Sequence, residues 1–168
     1  TAVKLATEII DTFEKTYEEK WLNMMRAKLG LLGTDEKDKY LILDLLTWMH
    51  QNKVDYTNTF CYLMNFKIQE DNIYEDGNFS SWKKRWEERV MENNNSSQKG
   101  MNIMKKMNPL VIPRNHQIEE VLKEASQGNL DPLNKFFETL NNPYSDHKNI
   151  SKYQLPNSNE NYQTFCGT

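Results

Sequence analysis

An all-α fold is what this 168-residue sequence predicts, and three observations predict it. Apolar residues return every third or fourth position through several long stretches, as they do on helices with one buried face. The alternation of apolar and polar residues that marks a half-buried strand persists nowhere. No similarity recurs at a fixed period, so a repeat architecture is not indicated. The expectation is a helical bundle of about six to seven helices over residues 1–142, followed by an extended, irregular tail over residues 143–168.

The first helix is expected between Ala2 and Lys28, where Leu5, Ile9, Ile10, Phe13, Tyr17, Trp21, Met24 and Met25 form one stripe. It should stop near Gly30, a residue suited to the left-handed position past a helix end. The pattern restarts with Thr34 or Asp35 as the N-cap of a second helix, which turns Leu41, Leu45, Trp48 and Met49 inward. Asp55 is the expected cap of a third, with Phe60, Leu63, Met64 and Cys61 on its inner side. After the polar hinge "QEDNIYEDGN", Ser80 or Ser81 is expected to cap a fourth helix carrying Trp82, Trp86 and Val90. "NNNSSQKG" has little to bury and reads as an internal loop, followed by a short helix from Met101 to Met107 that stops at Asn108-Pro109. "HQIEEVLKEASQG" and "LDPLNKFFETLNN" then make a closing helix pair joined at Gly128-Asn129, where Pro132 is tolerated because it lies in the first turn. From Pro143 the periodicity is lost, although Tyr144, Tyr153, Leu155, Tyr162 and Phe165 are placed to pin the tail to a surface.

A net charge of -3 offers no global electrostatic reason to expect nucleic acid or an anionic membrane as partner. No apolar run approaches the ~20 residues of a membrane span. Two cysteines, Cys61 and Cys166, do not make a disulfide framework, which fits a reducing, cytoplasmic setting. The chain opens on Thr1 already in helical rhythm, and reads as a piece of something longer or as a processed product.

Residues that could carry chemistry are few. His50, His116 and His147 are too scattered for a metal spacing, and the cysteines form no CxxC pair. "EDNIYEDGN" lacks the oxygen ligand and the closing glutamate of a calcium loop, because Ile73 stands where a ligand should be. Glu119 and Glu120 are adjacent, so a helix splays them apart. Trp82 and Trp86 lie one turn apart, which suits a core or an interface better than a base-stacking platform. Arg114 and Asn115 stand at a helix start, where Asn115 could cap and Arg114 could reach a carboxylate, a phosphate or a partner. Cys61 reads as an inert core thiol. Cys166, two residues from the terminal carboxylate, is a candidate redox handle, although that carboxylate should raise its pKa.

Several strings in order along the chain, "FEKTYEEKWLNMMRAKLGL", "VDYTNTF", "SSWKKRWEERV", "MNPLVIPRNHQIEEVLKEASQGNLDPLNKFFETLNNPY" and the terminal "FCGT", resemble the C-terminal part of the selenoprotein O family, whose bacterial members include YdiU. Cys166 occupies the position at which the animal members carry selenocysteine. The resemblance implies a protein-kinase-like enzyme that binds ATP in a reversed orientation, with Mg or Mn, and transfers AMP to Ser, Thr or Tyr hydroxyls of protein substrates. It also implies that the metal-binding and catalytic residues lie in a kinase-like part upstream. No catalytic, nucleotide-binding or metal-binding residue is therefore carried onto this sequence, and the chain alone is expected to be inactive. In the family the position of Cys61 is often Arg. If Cys166 forms a disulfide, a cysteine of the upstream part is thus the expected partner, and the bridge would tether the tail across the catalytic region.

Two functional readings follow, one of a helical support with a redox-sensitive tail in an adenylyltransferase, the other of an all-α interaction module that recruits a protein through the Trp82 and Trp86 face and Arg114. The first expects a large apolar patch left exposed where the kinase-like part would sit. The second expects a well-covered piece that binds on its own. A thiol-disulfide catalyst built on Cys166 is disfavoured because no resolving cysteine lies near it.

Overall fold

The computed structural model describes residues 2–68, 71–92, 96–146 and 150–157. Among the described residues there are α-helices and a 3-10 turn and no strand, so the protein is all-α. The helices are α1 (Ala2–Lys28), α2 (Asp38–Gln51), α3 (Tyr56–Leu63), α4 (Gly77–Met91), α5 (Ser96–Met107), α6 (Asn115–Ser126), α7 (Asp131–Asn141) and α8 (Ile150–Gln154), with the 3-10 turn at Asp71–Glu75. The described residues divide into two compact units, one within 1–51 and 76–107, the other within 52–75 and 108–157.

In the first unit α1, α2, α4 and α5 pack around Met25, Leu29, Ile42, Leu45, Phe79 and Met104, all nearly or fully buried. The expected inward residues of α2, Leu41, Leu45, Trp48 and Met49, are all buried. Asp35 carries the turn into α2: its Oδ1 accepts from the Lys37 N–H at 2.7 Å, while its own N–H donates to Asp38 Oδ2 at 3.0 Å. The expected start of α4 at Ser80 or Ser81 is corrected to Asp76, whose carboxylate accepts from the Phe79 N–H at 2.9 Å and from the Trp48 indole N–H at 3.0 Å. Starting the helix there places Phe79, Trp82 and Trp86 on one buried face, which outweighs the capping preference of the two serines.

The polar tract expected as a loop is also corrected. Residues 93–95 lie outside the described residues, but Ser96 to Gly100 belong to α5. Gly100 is buried there because the turn after α1 approaches it closely. Gly30 ends α1 with φ +67, as its position suggested.

The second unit packs α3 and the segment around Leu110 and Val111 with α6, α7 and α8. Asp55 caps α3 by accepting from the Asn58 N–H at 2.8 Å, and Phe60, Cys61, Leu63 and Met64 are buried as expected. The α6–α7 hairpin turns at Gly128, φ +90, and Pro132 falls in the first turn of α7.

Within residues 143–168 the chain forms the short helix α8, which periodicity alone did not indicate. Five residues give too little stripe to read. What holds α8 is a set of buried amides: Asn58 Nδ2 donates to the Gln154 carbonyl at 3.1 Å, Gln117 Nε2 to the Lys152 carbonyl at 3.2 Å, and Gln154 Nε2 to the Leu110 carbonyl at 3.0 Å. The first two take up carbonyls that a helix end leaves without internal partners. Of the residues expected to pin this stretch, Tyr153 is buried with its ring tilted against Phe136 at 5.2 Å between centroids, whereas Tyr144 is half exposed. Tyr162, Phe165 and Cys166 lie outside the described residues.

Candidate functional site

Arg114 is the N-cap residue of α6, in extended backbone geometry (φ -96, ψ 130). Its guanidinium forks onto Asp55, Nη1 to Oδ2 at 2.8 Å and Nη2 to Oδ1 at 3.0 Å. Both side chains are largely buried, with 10% and 20% exposure. Of the partners open to Arg114 on sequence grounds, the structure selects a carboxylate of its own chain. Asn115 is not the cap: it is the first residue of α6 and exposed, while the carbonyl of Arg114 accepts the first amides of the helix, from Gln117 at 2.9 Å and Ile118 at 3.0 Å. Asp55 therefore has its oxygens engaged by the arginine fork and by the α3 cap.

The most highly charged buried cluster was not singled out in the sequence. Asp38, its side chain fully buried, lies between Arg26 and Arg89. Arg26 Nε donates to Oδ2 at 2.6 Å and Arg89 Nε to Oδ1 at 2.8 Å, and the Asp35 N–H also reaches Oδ2. Burial pushes the Asp38 carboxyl up, but the hydrogen bonds from Arg89, Arg26 and the Asp35 N–H outweigh it and hold the carboxyl below its ordinary value. Arg89 Nη2 continues to the Leu32 carbonyl at 3.2 Å. One signal was present: Trp82, Trp86 and Arg89 are spaced four and three, so an arginine occupies the buried face of α4 and calls for a buried acid.

Neither carboxylate fits a metal ion. Each already accepts from two cationic nitrogens and a backbone amide, so a metal ion would have to displace a guanidinium or sit against one. Among the described residues no group of three or more His, Cys, Asp or Glu is placed to hold a metal. His50 is exposed on α2, and His147 lies outside the described residues.

Trp82 and Trp86 are core residues, 2% and 7% exposed. Their rings stack at 6.1 Å, and their indole N–H groups donate at 2.8 Å to the carbonyls of Leu41 and Leu29. Cys61 is fully buried, with its thiol directed at the Pro109 carbonyl at 3.8 Å, as an inert core cysteine should be. Cys166 is outside the described residues. No described helix is long and apolar enough to cross a membrane.

A family model described as Protein adenylyltransferase SelO matches residues 2–141, which is all of α1 to α7. The chain belongs to the SelO family. Its relatives include the Protein nucleotidyltransferase YdiU of Pelagibacter ubique, 49% identical over 99% of this chain and 35% of that protein. The proteins of the same name from Clostridium perfringens and Alcanivorax borkumensis are 40% and 39% identical over 99% of this chain, and over 34% and 35% of their own lengths. The chain thus spans about a third of the length of the curated SelO relatives it matches.

Proposed function

We propose that this chain is the helical supporting part of a SelO-type protein adenylyltransferase, with ATP, Mg or Mn and the transfer chemistry located in a kinase-like portion outside it. In that reaction a Ser, Thr or Tyr hydroxyl of a protein substrate attacks the α-phosphorus of ATP. The hydroxyl proton leaves, an O–P bond forms, and pyrophosphate departs. The chain's contribution is to buttress the catalytic portion. Cys166 would add redox sensitivity to the cytoplasmic enzyme.

One observation favours a supporting role: within each unit the buried acid is paired with arginine of that same unit, Asp38 with Arg26 and Arg89 in the first and Asp55 with Arg114 in the second. Such groups hold helices in place; they are not poised to polarise a phosphate or accept a proton. The alternative of a self-sufficient interaction module loses its proposed anchors, since Trp82 and Trp86 are buried, Arg114 is largely covered, and all three are hydrogen-bonded within the chain.

The intact protein should be incubated with ATP labelled at the α- or the γ-phosphate. Label from the α position on protein is the expected result. Label from the γ position would replace AMP transfer with ordinary phosphorylation. For the thiol, equal rates for the oxidised enzyme, the reduced enzyme and the Cys166→Ala variant would remove the redox role.

A further inference from the structure

Residues 2–20, roughly the first five turns of α1, are exposed on every side. Cover begins at Trp21 and Leu22, and Met25 is the first buried side chain. Yet this uncovered stretch carries Leu5, Ile9, Phe13 and Tyr17 at successive spacings of four, 61%, 69%, 66% and 60% exposed, with Val3 and Ile10 beside them at 77% and 70%. At 100° per residue these side chains occupy roughly 160° of the helix circumference. A stripe that wide exceeds the narrow seam of a two-helix coiled coil and needs a groove built from more than one element.

The polar side decides what kind of groove. Between residues 2 and 20 there are Glu8, Asp11, Glu14, Glu18 and Glu19 against Lys4, Lys15 and Lys20. Acids border the stripe on both edges, Glu14 on one and Glu8 and Glu19 on the other. Helices that lie on anionic membranes are instead rich in lysine and arginine on their polar side, and two copies of this helix would bring acidic borders together. Charge complementarity calls for an apolar groove with a basic rim. The matched SelO relatives extend well beyond the 35% and 34% of their length that this chain covers, so a SelO protein has chain enough to build one.

The geometry points to residues 3–17 of α1 being a docking helix, seated through Leu5, Ile9, Phe13 and Tyr17 in an apolar, basic-rimmed groove of the part of the same polypeptide that lies outside these 168 residues. This rests on the reading of the chain as part of a longer SelO protein. The exposed face is the apolar patch that the enzyme reading expected.

Hydrogen-deuterium exchange on the intact protein tests the docking. The amides of residues 3–17 should exchange at least 100-fold more slowly than those of an unstructured peptide, at all protein concentrations and without lipid. In the Ile9→Asp/Phe13→Asp variant that protection should fall at least tenfold while α2 keeps its own. Glu8→Lys/Glu14→Lys should weaken it as well, and unchanged exchange there would overturn the basic rim. Unprotected amides in the wild-type protein would overturn the docking outright, whether or not the variants fold. Protection that appears only as concentration rises would make a second copy the occupant, and protection only with phosphatidylglycerol vesicles would make it a membrane; either overturns the proposal. Exchange and label transfer are independent readings. A protected helix with no AMP transfer leaves the docking standing, and AMP transfer with an unprotected helix sinks the docking alone.

Discussion

Gly30 and Gly100 meet backbone to backbone: a methyl group placed on Gly100 would stand 2.5 Å from the Gly30 carbonyl oxygen. The obstacle is main chain at the end of α1, which cannot swing aside as a side-chain tip would. In an open helix position alanine would be favoured over glycine by about 1 kcal/mol. Here the collision reverses that preference, and Gly100→Ala should destabilise the protein by about 1–3 kcal/mol. Gly77 has nothing within 4 Å of its added methyl, so Gly77→Ala should be neutral or slightly stabilising. Urea unfolding of the two variants measures the contrast.

Asp38 should be the most sensitive carboxylate of the first unit. Asp38→Asn leaves Arg26 and Arg89 without their buried counter-charge and should cost about 3–5 kcal/mol. Asp44 pairs with Arg85 at 2.8 Å, but both side chains are half exposed, and Asp44→Asn should cost no more than about 1 kcal/mol. The pH dependence follows from the lowered pKa of Asp38. A carboxyl held below its unfolded value, about 4, contributes stability that is present above that pH and lost as pH falls through the lower folded value. Acid unfolding of the wild-type protein should therefore steepen below about pH 4, and the Asp38→Asn variant should lack that component.

The long helices were legible because their stripes are long. Leu41, Leu45, Trp48 and Met49 fix the inner face of α2 by spacing alone, and Asp55 and Gly30 mark boundaries by residue type. What escaped depends on partners distant in sequence. Ser80 and Ser81 are good caps locally, but Asp76 has the indole of Trp48 to hold it as well. Gly100 looked like loop material because its reason to be glycine lies at Gly30. The α8 helix is held by amides from Asn58 and Gln117. At the candidate site the sequence left Arg114 open to a carboxylate, a phosphate or a partner, and Asp55, 59 positions away, could not be named from it. Arg89 on an apolar face was a usable clue to a buried acid; nothing local named Asp38.

Arg114 should couple to Asp55 in the folded protein. In a double-mutant cycle with Arg114→Met and Asp55→Asn, a coupling energy of about 1–3 kcal/mol is expected from the two-pronged pair. Arg114→Lys should recover little of it, because an ammonium cannot reproduce the planar fork. Thermal or urea unfolding supplies the four stabilities. A coupling near zero would return Arg114 to the role of a contact for some external anion.

Tyr74 should keep its proton well into the alkaline range. Its ring lies against Tyr62, with centroids 4.0 Å apart and planes 12° from parallel, and its side chain is 4% exposed. Its hydroxyl is 3.1 Å from Thr59 Oγ1, and Thr59 gives its own hydrogen to the Asp55 carbonyl at 2.9 Å. Either hydroxyl can donate in this pair. Burial pushes the Tyr74 hydroxyl up to about 12; Thr59 could turn its hydrogen toward a phenolate, which works the other way and does not offset the burial. An acid whose folded pKa lies above its unfolded value, about 10, adds stability that is complete below the unfolded value and is lost as pH rises toward the folded one. The amount is about 3 kcal/mol for a shift of this size. Absorbance titration, compared with the Tyr74→Phe variant, should show the Tyr74 phenol ionising only near pH 12 or together with unfolding. Tyr74→Phe should remove that phase and flatten the loss of stability above about pH 10. If wild-type and Tyr74→Phe proteins show the same high-pH absorbance phase while both stay folded, Tyr74 is not held as the structure places it.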